Sequence, residues 1–329
     1  ILFNDSPATI RKLLWSYAPD WFITLALAAI FFSLDAVHGF QRQFSLQDTT
    51  IHYTFAVHER VPDFALYLIA ILAPVVLQSL INFLTIRSWW DLHNGFLGLA
   101  LGLSMTGSIT QLTKLTVGRP RPDLLDRCQP IVGSVDPVFG VSNSSICTTP
   151  HDSHLMLDGF RSFPSGHSSV SFAGLGFLAF YLAGKLHLFD HRGYAAKAWL
   201  SLVPFVGAAL VAISRTMDNR HHWQDVLVGS VLGTVVSYFS YRQYYPSLTS
   251  EVSHRPYSPR IATFEGLPSH HTQAADPGVD DIVRSGPLEG TVLRQGPGSL
   301  RDMWRDEEET TALHSPPRQR STSIPLDTV

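Results

Sequence analysis

The chain has 329 residues, 45% of them hydrophobic and only 16% charged, with a formal net charge of −3. No lysine-rich patch with interleaved aromatics is present, which argues against a nucleic-acid partner. Several apolar runs approach the roughly 20 residues that a helix needs to cross a bilayer, which argues against a soluble protein. The expected fold class is all-α: a polytopic membrane protein of six transmembrane helices in a bundle, followed by a disordered C-terminal tail.

Residues 1–20 read as an N-terminal segment in which Asn4, Asp5, Ser6 and Pro7 cap a short helix carrying Arg11, Lys12, Leu13, Leu14 and Trp15. Beside a membrane it reads equally as an interfacial helix or a solvated one. The first span is expected over residues 21–39, entered by Trp15, Tyr17 and Trp21 as an aromatic belt. Asp35 near its far end reads as a solvated side chain more readily than a functional one, and no cleavable signal peptide is expected because Asp35-Ala36-Val37-His38 follows the apolar run. Span two covers residues 64–86 with Pro74 inside it, and span three residues 95–117, rich in Gly and Ser and therefore suited to close helix packing. Gly118-Arg119-Pro120-Arg121-Pro122 stops that helix, because proline cannot continue it and pushes the residue before it to extended geometry. After a long loop come span four (168–186), span five (198–214) and span six (223–241).

The six-span domain is placed at 21–245. The remaining 84 residues hold ten of the 21 prolines, with much Ser, Gly and Thr and no apolar period, and read as a disordered polar tail from residue 246 onward. Its acidic run Asp306-Glu307-Glu308-Glu309 reads as solubilising; any tail partner is unspecified. An even number of spans puts both termini on one side. The Lys and Arg counts of the short loops do not divide cleanly, but if some outer cations bind substrate, a model with cytosolic termini survives.

In either orientation the ends of spans three and five and the starts of spans four and six share one face. Lys114, Arg121, His167, Arg215, His221 and Asp225 therefore meet there. A phosphate monoester needs cations and oriented N–H donors: Lys114, Arg121 and Arg215 supply charge, the arginines with bidentate geometry. Ser165, Gly166 and His167 open span four, where free backbone N–H groups favour an anion. If residue 223 onward is helical, His221 and Asp225 lie four apart on one face. His221 then reads as the nucleophile with Asp225 holding its other nitrogen, and His167 as the acid that protonates the leaving alkoxide and then activates water. No metal or other cofactor is needed, since fixed cations take the electrostatic role. Singly, each residue has a plainer reading: a cation at a span end is usually a snorkelling anchor, and one of fifteen histidines signals little. His222 reads as a solvated neighbour. The convergence of six such groups on one face favours chemistry.

These residues carry a resemblance. Lys114 and Arg121-Pro122 across a six-residue gap, Pro164-Ser165-Gly166-His167, and Ser214-Arg215 followed by His221 and Asp225 resemble the three motifs of the type 2 phosphatidic acid phosphatase superfamily, the lipid phosphate phosphatases. The gap selects Arg121 over Arg119, and a five-residue gap selects His221 over His222. Tyr17-Ala18-Pro19-Asp20-Trp21 and Asp218-Asn219-Arg220-His221-His222-Trp223 are most similar to the phosphatidate and diacylglycerol pyrophosphate branch. The resemblance implies a membrane-embedded, magnesium-independent phosphatase of phosphatidic acid, diacylglycerol pyrophosphate or related phospholipid phosphates, acting through a phosphohistidine. It also implies a site on the lumenal or extracellular face of an endomembrane, vacuolar or plasma membrane. Sphingoid-base and dolichyl phosphate phosphatases of the same superfamily stay open, as does a non-catalytic membrane scaffold; paired interrupted spans that would suggest a transporter are not seen. In that orientation Cys128 and Cys147 share the oxidising outer loop and are expected either to pair or to stand as two thiols. Asn143-Ser144-Ser145 in the same loop is a glycosylation sequon, a weak motif alone.

Overall fold

The computed structural model describes residues 7–190 and 193–260. Nine α-helices appear among them: α1 (Pro7–Asp35), α2 (Asp63–Tyr67), α3 (Ala73–Leu84), α4 (Trp89–Val117), α5 (Leu124–Cys128), α6 (His154–Gly159), α7 (Gly166–Lys185), α8 (Ala195–Met217) and α9 (Trp223–Tyr244). A π-helical turn at Leu68–Leu72 joins α2 to α3, so the two run as one helix. The described residues contain no strand, only the isolated bridges Phe44–Ser142 and Pro130–Cys147.

Four helices are long and apolar enough to cross a membrane: Arg11–Asp35, Asp63–Leu84, Trp89–Val117 and Ala195–Met217. Their outward faces carry large apolar side chains such as Phe22, Leu25, Phe83, Trp199, Leu210 and Ile213, an exposed apolar surface that only a membrane or a partner covers. Helices α7 and α9 are of similar length, 20 and 22 residues, but stand outside those four. The reason is position. Helix α7 is the central post, with nearly every residue from Ser168 to Gly184 buried or partly buried against α9, α8, α4 and the α2–α3 helix. A helix enclosed by protein needs small residues for close approach rather than a lipid-facing surface. At Gly233 of α9 an added Cβ would lie 2.3 Å from the Ser169 carbonyl oxygen of α7, so glycine sets that contact distance.

Several expected boundaries differ. The N-terminal segment is no separate element: α1 runs unbroken from Pro7 through Pro19 to Asp35, while the proposed cap residues before Pro7 lie outside the described residues. Helix α4 begins at Trp89, six residues before the expected start of span three, because Ser88 caps it by accepting the Asp91 N–H. The expected tail does not begin at residue 246. Residues 246–260 pack across the base of the bundle. Trp90 Nε1 donates to the Tyr257 carbonyl, the Lys185 ammonium to the His254 carbonyl, and Arg260 makes two bonds to Asp20. Tertiary partners, invisible to composition, order this proline-rich stretch. The expected disorder of residues 261–329, with the acidic run Asp306-Glu307-Glu308-Glu309, lies outside the described residues.

At the opposite end, the segments 36–62 and 118–165 fold into a cap over the bundle. Phe44, Ile51, Leu124, Met156 and Phe160 give it a small core of its own, joined by the disulfide between Cys128 and Cys147.

Candidate active site

The cap and the bundle enclose a cavity of about 360 Å³. Its walls include Lys114 from the end of α4, Arg121, Gly166 and His167 from the start of α7, Arg215 from the end of α8, and His221 from the turn before α9. Five of the expected side chains, and the backbone of Gly166, thus come from helix ends and the segments beside them to one space.

Local structure explains each placement. Arg119-Pro120-Arg121-Pro122 is extended, as residues before proline must be. It lies alongside residues 159–162: the Arg121 N–H donates to the Gly159 carbonyl and the Ser162 N–H to the Arg119 carbonyl. This short pairing fixes both Arg121 and Ser162. At Gly166 an added Cβ would sit 3.1 Å from the Lys114 ammonium nitrogen, so the absent side chain lets the cation approach the N-terminus of α7. Gly166 and His167, the first two residues of that helix, where backbone N–H groups lack an intrahelical acceptor, line the same space as Lys114.

His221 is buried. Its Nδ1 lies 2.6 Å from the Ser162 carbonyl oxygen, an acceptor only, so Nδ1 carries the proton and Nε2 keeps its lone pair. Burial, reinforced by the charges of Arg121 and Lys114, pushes the imidazole well below its ordinary range despite the opposing hydrogen bond to Ser162. The ring is therefore neutral at physiological pH, as a nucleophile must be. An ordinary histidine would be roughly three-quarters protonated at pH 6. Here the acid limb of kcat/KM assigned to His221 is expected below the ordinary imidazole range; a limb at or above it, measured on a substrate already ionised there, would contradict the assignment.

Asp225 does not hold His221, contrary to the spacing argument. Helix α9 starts at Trp223 with His222 as its N-cap, so His221 lies outside the helix and the four-residue rule does not apply. Asp225 instead folds back on the helix start and accepts from the His222 N–H (3.1 Å), the Ser162 hydroxyl (2.6 Å) and Arg119 Nη1 (2.6 Å). Asp225 is thus linked to His221 through Ser162, whose hydroxyl donates to the carboxylate and whose carbonyl accepts from the ring. His222 is correspondingly no solvated neighbour: it is largely buried, with Nδ1 3.3 Å from Asp225.

Ser165 also differs from its expected role as a phosphate ligand. It is fully buried, its hydroxyl caps α7 by accepting from the Ser168 N–H, and its own N–H donates to the Asp225 carbonyl. It shapes the helix start from behind the cavity wall. His167 lines the cavity, with Nε2 3.0 Å from the Val61 carbonyl and 3.6 Å from Asp63, which leaves Nδ1 as its second proton-transfer atom.

Carboxylates that sequence reasoning missed hold the cations in place. Glu59 accepts from Arg215 (2.7 Å) and Arg220 (2.7 Å), and Asp218 from Arg215 (3.0 Å). Asp158 accepts from Arg121 (2.6 Å) and Arg127 (2.9 Å). Burial alone would raise the Asp158 carboxyl, but Arg121, Arg127 and Lys114 outweigh it and hold the group well below the usual carboxylate range. Glu59 and Asp158 come from the cap, far in sequence from their partners, and no spacing pattern marks them, whereas Asp218 is the C-cap of α8, three residues after Arg215. Asp35, expected to be solvated, is largely exposed at the rim and accepts from Arg161 and Gln111.

Such an arrangement, cations and a neutral histidine gathered at the end of a membrane bundle, defines a site for phosphoryl chemistry on an anion. Comparison with known proteins agrees: residues 95–249 match the PAP2 superfamily, and the chain belongs to that family. It is 40% identical over 242 residues to the probable diacylglycerol pyrophosphate phosphatase 1 of Schizosaccharomyces pombe, covering 72% of this chain and 84% of that protein. Similarity to lipid phosphate phosphatase 2 of Arabidopsis thaliana is 40% over 228 residues, 69% of this chain and 77% of the relative. For diacylglycerol pyrophosphate phosphatase 1 of Saccharomyces cerevisiae the identity is 37% over 241 residues, 72% and 82% of the two chains. No solved structure matches the chain.

Proposed function

We propose that the chain is a lipid phosphate phosphatase that hydrolyses phosphatidic acid, diacylglycerol pyrophosphate or both through a phosphohistidine on His221. One observation carries the lipid part of this reading. The cavity that holds the cations is also lined by Phe31 and Phe32 of α1, Leu66 and Tyr67 of α2, and Val170 of α7. A charged headgroup pocket with an apolar wall made by membrane helices suits a phosphate that arrives on acyl chains rather than on a soluble sugar.

In this reading Lys114, Arg121 and Arg215, with the N-terminus of α7, bind the transferred phosphoryl group. His221 Nε2 attacks phosphorus, His167 protonates a leaving alkoxide, and His167 then takes a proton from the water that cleaves the phosphohistidine. The fixed cations supply the charge compensation that metal ions supply at other phosphoryl-transfer sites. Helices α7 and α9 are long enough to cross a hydrocarbon core of about 30 Å, and counted as spans they bring the number to six, with the start of α1 and the end of α9 on the face opposite the cavity. The disulfide in the cap supports placing the cavity on a lumenal or extracellular face, since such bonds persist in oxidising compartments.

The test is phosphate release from phosphatidic acid, its pyrophosphate, lysophosphatidic acid, sphingosine phosphate and dolichyl phosphate, with and without chelator. Activity on the glycerolipids is expected to stay within about twofold in chelator, well under one order of magnitude. Preference for sphingoid or dolichyl phosphate would move the substrate class, loss of activity in chelator would overturn metal independence, and no release from any lipid would favour a scaffold.

A further inference from the structure

Three arginines in the cavity wall share an unusual state. Arg121, Arg127 and Arg220 are each more than nine-tenths buried, and the Nε of each has no hydrogen-bond partner among the described residues. Arg121 belongs to the phosphoryl clamp already described. Arg127 and Arg220 do not, and the three motifs give them no task.

These two are built into one unit. Their guanidinium groups lie over the same Phe55 ring, at 4.6 and 4.5 Å from its centroid. Arg127 Nη2 is held by Asp123 (2.9 Å) and Nη1 by Asp158 (2.9 Å); Arg220 is held by Glu59 (2.7 Å) and approaches Asp158 (3.5 Å). Asp158 also holds Arg121. One carboxylate therefore sets the motif arginine and the second pair side by side. Both side chains line the cavity, and a buried guanidinium with an unpaired Nε–H is left for an anion or water entering that space to complete. A monoester has one phosphoryl group, and Lys114, Arg121 and Arg215 already receive it.

We propose that Arg127 and Arg220 form a second anion subsite that holds the non-transferred phosphoryl group of a lipid pyrophosphate, and that this pair makes the enzyme selective for lipid pyrophosphates over monophosphates. The inference rests on the phosphatase reading above. His221 Nε2 bonds to the terminal phosphorus, and the bond from that phosphorus to the bridging oxygen breaks. Its electron pair stays on that oxygen, which becomes part of the departing lipid monophosphate. The added negative charge falls on the group facing Arg127 and Arg220, so this leaving group needs no proton. Water then bonds to the phosphohistidine phosphorus, gives its proton to His167, and releases inorganic phosphate as the N–P pair returns to Nε2.

The test uses Arg220→Lys and Arg127→Lys, which keep the charge and remove Nε and the planar fork. Phe55→Leu removes the shared platform without touching an ion pair. For each full-length variant, kcat/KM is measured on diacylglycerol pyrophosphate and phosphatidic acid in the same micelles. The pyrophosphate-to-monophosphate ratio is expected to fall about tenfold for each lysine variant and about threefold for Phe55→Leu, magnitudes ordinary for loss of a charge-assisted contact. Inorganic pyrophosphate is expected to inhibit the wild type more strongly than inorganic phosphate and to lose that advantage in Arg220→Lys; equal inhibition of the wild type by the two overturns the subsite. An unchanged ratio in the folded variants, or equal losses on both substrates, overturns the subsite and leaves the phosphatase reading intact. A wild type that hydrolyses neither lipid overturns the phosphatase reading itself.

Discussion

His221→Ala is expected to abolish phosphate release, lowering kcat by roughly 10⁴-fold or more, while the protein still inserts and folds. The size of the effect follows from the absence of an equivalent group. Nε2 of His221 is the free lone pair of a buried neutral imidazole in the cavity, whereas His167 donates Nε2 to a backbone carbonyl across the cavity wall. The structural cost should be small, because the side chain makes one hydrogen bond, to the Ser162 carbonyl. Phosphate release from a lipid substrate and thermal stability of the purified variant check both halves. Activity within about tenfold of wild type would remove His221 from the mechanism.

Asp225→Ala should do something different: it should damage stability and activity together. The carboxylate is fully buried and paired with Arg119, and it also accepts from Ser162 and the His222 N–H. Removing one partner of a buried pair leaves the other charge uncompensated and costs about 3–5 kcal/mol. The kcat should fall as well, because Ser162 loses its anchor and the carbonyl that orients His221 moves with it. Arg119→Ala should reproduce the stability loss, since it strands the same buried carboxylate. If Asp225 acted on His221 directly, Asp225→Ala would lower kcat sharply while Arg119→Ala left it untouched. Parallel denaturation and kinetic measurements on the two variants separate these outcomes.

The contrast between these two residues marks the limit of reading spacing alone. His221 was legible because its motif combines residue types with little other reason to recur at those gaps near span ends. The partner of His221 was not legible, because the helix starts at Trp223 and the ring donates its hydrogen bond to a backbone carbonyl 59 residues earlier. Backbone partners leave no trace in residue identity. The same holds for Glu59 and Asp158, acids in loops that only the folded cap brings against the arginines.

Local chemistry in the chain was sufficient for three things. Apolar runs of membrane length put helices in a bilayer, prolines after Gly118 ended a helix and extended the segment carrying Arg121, and a Pro-Ser-Gly turn opened α7 beside its histidine. Each depends on neighbours a few residues away, and periodicity and steric rules report on those. Tertiary structure alone decided which nitrogen of His221 is free, what Asp225 holds, that residues 246–260 pack on the base, and that Arg127 and Arg220 share one ring in the cavity wall. Those outcomes depend on contacts between segments distant in the chain, where burial and the geometry of the enclosing helices select the partner.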